Sequence, residues 1–391
     1  MKISIIDISE LKKRKWPTPS SLLEPEISYN ECRLKEYVDI PLPYKKYQDY
    51  EEDVFVKEGK VSLKILRGIP PEECGITSLA VDEKNGKIYG ATSGNKAHLF
   101  VFDTIENQVK ELGIIEGYAQ ITNSLILWKG QVFLGTRSMQ GNKPGSIYCY
   151  EKGEIKKVVT PIQGEGIASL VKCDESNLIY GLSTPNGVLF SFDIDTKTVE
   201  VKGKIDEKNN FGDVLCVGPD GCIYGAKQWG GLYRYNPEKN KIVPLRISIP
   251  ALCGRKMYNQ VSCLFTDHAE KLIYGGASAD GILFVFDPYK EDIISLGIPV
   301  PNAQIRCLVR GEHGLIYGIA GKKNGISRMF RYNRNLGELK EIGMLFAEEE
   351  RYWHGYEFVC MVAGKQGDIY LGENDRISHL FIYRTGSENK K

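Results

Sequence analysis

The sequence predicts an all-β protein: a seven-bladed β-propeller with four antiparallel strands per blade, its last blade closed by an N-terminal strand. Three observations predict it. One pattern recurs seven times between Ile76 and Arg384, each copy holds short strand-like segments divided by turn residues, and the last copy lacks its fourth segment. Four short strands every ~40 to 50 residues is the signature of propeller blades, and no helical periodicity competes with it.

The centre of each copy is a hallmark triplet: Ile88-Tyr89-Gly90, Val132-Phe133-Leu134, Ile179-Tyr180-Gly181, Ile223-Tyr224-Gly225, Ile273-Tyr274-Gly275, Ile316-Tyr317-Gly318 and Ile369-Tyr370-Leu371. An earlier apolar strand precedes it (SLAV, SLIL, VLCV, CLVR). A polar or glycine-rich turn follows, then an aromatic-alternating strand ending in a turn residue: HLFVFD from His98, SIYCYE from Ser146, VLFSFD from Val188, GLYRYN from Gly231, ILFVFD from Ile282, RMFRYN from Arg328 and HLFIYR from His379. All but the last copy add a fourth strand such as KELG, EVKG or ISLG. Blades are expected to start near residues 76, 121, 167, 213, 261, 305 and 358 of a propeller domain spanning 59–391.

The seventh copy ends after HLFIYR, while Lys60 to Gly75 reads as an outer strand and exit loop with no blade of its own. A closing strand at about 60–69 therefore completes blade 7 and covers edge hydrogen bonds that an open ring would leave unpaired. Residues 1–58, with Pro17, Pro19, Pro25, Pro41 and Pro43, fall outside the pattern and are expected to form an irregular extension packing on the ring.

The repeats resemble those of the seven-bladed β-propeller superfamily from about Lys60 to Arg384. Some carbohydrate-active lyases and glycosidases share this architecture, so the resemblance implies a carbohydrate-active propeller. No family-specific catalytic motif accompanies it.

Bulk properties narrow the partners. Lys plus Arg number 51 against 50 Asp plus Glu, so the global basic field that drives phosphate-backbone binding is lacking and nucleic acid is not expected. The start, MKISIIDISELKKRKW, does not read as a signal peptide, and no run approaches the ~18 apolar residues of a membrane span. With ten cysteines read as reduced thiols, the expected location is cytoplasmic. Metal-binding spacings, phosphate loops and a Gly-x-Ser-x-Gly elbow are absent, so no metal and no cofactor is expected. Cys216, Cys263, Cys307 and Cys360 read as small fillers near the channel.

Strand parity locates the site candidates. Blade-to-blade connections and second-to-third turns share one face, the channel face, where propellers take ligands. The connections carry Tyr118 and Gln120 before blade 2, Arg255 and Tyr258 before blade 5, Gln304 and Arg306 before blade 6, and Arg351-Tyr352-Trp353-His354-Gly355-Tyr356-Glu357 before blade 7. The turns add Arg137, Trp229, Glu373 and Arg376. His98 and His379 occupy one repeat position, with Arg328 there in blade 6, so three basic groups on neighbouring blades are expected to cluster. Aromatic faces beside Arg, Asn and Gln suit a small-molecule or oligosaccharide ligand.

Two functions follow. The first is a lyase acting on an acidic oligosaccharide by β-elimination, with His354, Tyr258 or Tyr356 as base and Arg351, Arg255, Arg306 or Arg376 neutralising the carboxylate. Hydrolysis by Glu357, Glu373 or Asp375 is its variant. The second is a non-catalytic propeller binding a protein or peptide on the channel face. It is distinguished by whether a histidine, a tyrosine and an arginine converge in one pocket.

Overall fold

Every blade begins on a strand that turns one side to the channel and ends on one that faces solvent. A computed structural model describes residues 55–115, 121, 124–137, 143–173, 176–207, 211–347, 353–365 and 367–385. Seven four-stranded antiparallel sheets form, with inner strands Gly75–Asp82, Leu125–Trp128, Gly166–Lys172, Phe211–Val217, Val261–Asp267, Gln304–Arg310 and Phe358–Ala363. Blade 7 takes its outer strand from Lys60–Ile65, which pairs antiparallel with His379–Arg384 from Lys60 opposite Arg384 to Ile65 opposite His379. The chain is thus a β-propeller closed by its N-terminal strand. Of the expected extension, residues 1–54 lie outside the described residues. Its last residues run beside blade 6, where Phe55 bridges to Met344 and Glu58 pairs with Arg331 and Lys340.

The apolar core lies between blades rather than within them. The described buried apolar side chains form seven clusters, each spanning one seam between neighbouring blades. This explains the aromatic third strands. In HLFVFD, Phe100 and Phe102 pack toward blade 7 while Leu99 and Val101 pack toward blade 2, so both strand faces are buried. It also explains the hallmark aromatic, whose ring meets the last aromatic of the next blade's third strand: Phe133 with Phe192, Tyr180 with Tyr235, Tyr224 with Phe286, Tyr274 with Tyr332 and Tyr317 with Tyr383. Tyr370 of blade 7 meets Phe102 of blade 1 at 6.1 Å, closing the circle. Each such pair contributes about 0.5–1.5 kcal/mol beyond area burial.

The hallmark glycine is a packing requirement. A Cβ on Gly90 would lie 2.1 Å from the Phe100 ring, and one on Gly275 would lie 2.2 Å from Phe284. The glycine near the end of the fourth strand has another cause. Gly113, Gly203, Gly297 and Gly343 sit at register shifts with φ between 113° and 149°, a region that side-chain-bearing residues rarely enter. The turn residue ending the third strand accepts backbone N–H bonds: Asp103 from Ile105 and Glu106, Asp193 from Asp195 and Thr196. These bonds, Glu106 and Thr196 foremost, hold both carboxyls below the usual range.

The inner strands carry a feature absent from the sequence reading. The register shifts near their channel-face ends in blades 1, 3, 4, 5, 6 and 7, a recurring β-bulge that re-aims the side chains at the channel mouth. Beyond the bulge the strands fall back into phase, placing Leu79, Leu125, Leu170, Leu215, Leu264, Leu308 and Met361 around the channel.

Candidate functional site

The channel holds a cavity of about 210 Å³ whose wall, beyond that leucine layer, consists of serines, cysteines, valines and one charged side chain, Arg306. Arg306 sits at the bulge of blade 6. Its Nη2 lies 3.1 Å from Oε1 of buried Glu357, and its Nε donates to the Gly321 carbonyl. Burial pushes the thiols of Cys263 and Cys360 up to about 12, and that of Cys307 well above its ordinary value. They are neutral near pH 7 and offer no nucleophile. Cys216 differs from these three: it follows the leucine layer and packs into the seam between blades 4 and 5.

The three basic groups expected to cluster instead form separate acid–base pairs. Buried His98 holds Glu111 at Nδ1 (2.7 Å) and Glu73 at Nε2 (2.8 Å). Arg328 reaches Glu341, the Glu111 equivalent in its own blade, at 2.8 Å. Blade 7 has Leu63 at that position, and His379 turns instead to Glu373, with Nδ1 at 2.9 Å. Each basic group meets an acidic partner locally, so none needs the others.

Glu373 organises the insert before blade 7. Its side chain is fully buried and accepts from the backbone N–H groups of His379 (3.0 Å) and Tyr356 (3.0 Å) and from Trp353 Nε1 (3.2 Å). The Trp353 ring stands edge-on to His379 at 4.8 Å. Tyr356 donates its hydroxyl to the Asn324 carbonyl at 2.7 Å. Glu357 is claimed by Arg306 and the Asn324 N–H. His354 is exposed on a two-residue strand opposite Phe346, and it does not line the channel cavity. Arg351, Tyr118 and Gln120 lie outside the described residues.

The remaining candidates divide by location. Gln304 opens the inner strand of blade 6 and is partly buried. Arg137 pairs with Asp213 of blade 4 at 3.0 Å. Arg376, exposed, pairs with Glu72 at 2.8 Å. Trp229, Arg255 and Tyr258 come together on the rim of blades 4 and 5, where the turn Gln228–Gly230 lies against the turn Lys256–Tyr258. Trp229 is 54% and Tyr258 72% exposed, with Met257 and Leu252 also open.

Two residues hold this rim, Asn259 of the connection before blade 5 and Asp280, which the sequence did not single out. Asp280, from the second-to-third turn of blade 5, has a fully buried carboxylate that accepts from the Leu252 N–H (2.9 Å) and from Asn259 Nδ2, and it pairs with Arg255 Nε at 3.0 Å. Asn259 Oδ1 in turn accepts the N–H groups of Ala279 and Asp280 at 3.0 and 3.1 Å. Their only sequence signal is placement at two channel-face turns of one seam. Trp229 adds a conformational oddity: at φ 59°, ψ 35° and followed by Gly230 at φ 70°, it takes the first central place of a tight hairpin turn. Glycine, asparagine or aspartate normally fills that place.

No family model and no curated protein matches the chain. Its fold is similar to the extracellular domain of a proposed one component system from B. thetaiotaomicron, with TM-score 0.61 and 15% identity over 82% of this chain and 39% of that one. The extracellular domain of a proposed hybrid two component system from the same organism gives TM-score 0.61 and 15% identity over 83% and 39%. The chain thus spans about two fifths of the length of either. A structure of the mitotic checkpoint complex gives TM-score 0.59 and 12% identity over 85% and 92%. These likenesses are of fold.

Proposed function

We propose that the protein is a recognition propeller that binds its ligand without catalysis, on the channel face at the rim of blades 4 and 5. The observation that carries this reading is Trp229. Its side chain is exposed, and its left-handed backbone costs about 1–2 kcal/mol relative to glycine. Strain of this kind persists where the surroundings enforce it, often at ligand contacts. Here the turn lies against the Lys256–Tyr258 turn, which is followed by Asn259, fixed to buried Asp280.

β-Elimination in the form expected from the sequence brings a histidine, a tyrosine and an arginine into one pocket. Among the described residues, His98 and His379 are committed to carboxylates, Arg306 to Glu357, and His354 stands on a different element from Tyr258. Glu357 and Glu373, two of the three acids of the hydrolytic variant, are likewise occupied.

Glycan and peptide arrays probed with the wild-type chain and with Trp229→Ala/Tyr258→Ala test the reading. Binding should be lost in the variant, and acidic oligosaccharides should show no ultraviolet-absorbing unsaturated product. Accumulating product, or array binding that survives the double substitution, would overturn it.

A further inference from the structure

We infer that this rim selects a uronate-containing oligosaccharide: Trp229 and Tyr258 stack on sugar rings, Arg255 takes the carboxylate, and the Asp280–Asn259 pair is the positioning device that aims Arg255. The inference rests on the rim being the binding surface and adds what it binds.

Arg255 carries the argument. An unrestrained surface arginine samples many rotamers and loses that freedom on binding. Arg255 has lost part of it already, because Nε lies 3.0 Å from a carboxylate with no solvent exposure and Nη2 donates to the Ala279 carbonyl at 3.5 Å, while the side chain as a whole stays 45% exposed. One edge of the guanidinium faces the protein, and the remaining donors are left for a planar two-oxygen acceptor. Asp280 cannot swing away to follow a ligand, because Leu252 N–H and Asn259 Nδ2 bind its other oxygen and Asn259 is itself fixed by two backbone donors.

Charge and shape narrow the ligand. The residues 228–231 and 250–260 that build the rim include Arg255 and Lys256 and no acidic side chain, and Lys256 is exposed. An anionic ligand meets two cations there, while the one carboxylate of the rim, Asp280, is fully buried and paired with Arg255. The exposed aromatic groups lie on neighbouring turns beside the cations. That pairs stacking faces with an oriented guanidinium, the combination an acidic sugar ring uses. An acidic peptide is the competing occupant and is an outcome of the test.

The experiment is isothermal titration of the full chain with a galacturonate tetramer and with its fully methyl-esterified form, which keeps the rings and removes the charge. The acid should bind about tenfold or more tightly than the ester, the worth of one charge-assisted contact. Arg255→Gln should bring the two affinities together, the acid losing more than the ester. Asp280→Asn should shrink the ratio with Arg255 still present, a change that general loosening of the fold would not produce. Arg255 is exposed, so its substitution keeps the test valid if Asp280→Asn unfolds.

Equal binding of acid and ester, unaltered by Arg255→Gln, overturns the carboxylate assignment and leaves the rim reading standing. Binding of acidic peptides but neither tetramer, lost in Trp229→Ala, also overturns it while supporting the rim. Tetramer binding untouched by Trp229→Ala removes both.

Discussion

The rims of blades 6–7 and of blades 4–5 are built alike and end up opposite. Each centres on a fully buried carboxylate beside a second-to-third turn, Glu373 in blade 7 and Asp280 in blade 5, and each carboxylate ties down the preceding inter-blade connection. Glu373 spends its acceptors on Trp353, Tyr356 and His379, drawing the aromatic insert inward. Asp280 takes one backbone N–H, Asn259 and a single edge of Arg255, which leaves Trp229, Met257 and Tyr258 in solvent. The composition of a loop foretells chemistry only after the groups claimed by a buried acceptor have been set aside.

The sharpest way to break the comparison is to remove the acceptor that turns the blade 7 insert inward. Glu373→Ala strands the Trp353 indole, the His379 ring and two backbone donors in an apolar seam. We expect a loss of about 3–5 kcal/mol in denaturant unfolding. A loss below about 1 kcal/mol would mean that water or a rearranged loop satisfies those donors, and the insert would have to be counted as adaptable.

The opposite sign is expected at blades 4–5. Trp229→Gly relieves a left-handed side-chain-bearing residue and should raise stability by up to about 1 kcal/mol in the same measurement while abolishing ligand binding. A substitution that stabilises and inactivates together marks a residue retained for contact with something outside the chain. If Trp229→Gly destabilises, the indole is packing for the fold and the rim loses its main support.

Much of the ring was legible because its rules repeat. The hallmark glycine answers to the ring packed over it, the hallmark aromatic to the next blade, and the orphan strand at Lys60–Ile65 to the missing edge of blade 7. The bulges were hidden because the residues they absorb, Ala168 in blade 3, Arg306 in blade 6 and Val359 in blade 7, share no chemistry. The acid partners of His98 and Arg328 were half visible, since Glu111 and Glu341 hold one repeat position. What could not be read is which tryptophan faces out. Trp353 is decided by Glu373, 20 residues on, and the Trp229 rim by an Asn259–Asp280 contact spanning 21 residues. Sheet register, not local pattern, makes both contacts.

Cysteine reactivity should separate the blade 4–5 rim from the channel wall more gently. Cys253 is exposed on the connection before blade 5, whereas burial lifts the thiols of Cys263 and Cys360 to about 12 in the channel wall. Among the described cysteines, a maleimide at pH 7.5 should label Cys253 first, read by peptide mass spectrometry, with the channel thiols following only on unfolding. Early labelling of Cys307 or Cys360 would mean that the leucine layer opens in the native state.

The smallest effect is expected at the residue the sequence marks most strongly. His354 stands in the aromatic insert, where a general base would be sought, yet its side chain is exposed opposite Phe346 while its neighbours turn inward. His354→Ala should therefore shift stability by less than about 0.5 kcal/mol, as surface substitutions do, and leave affinity at the blade 4–5 rim unchanged. The measurement is titration with the galacturonate tetramer alongside ultraviolet detection of unsaturated uronate. Turnover in the wild-type chain that disappears in His354→Ala would reverse the ranking of the two rims. The insert before blade 7 would then be the reacting site and Trp229 at most a handle for the substrate's far end, because an exposed imidazole matters to catalysis only if substrate brings the remaining groups to it.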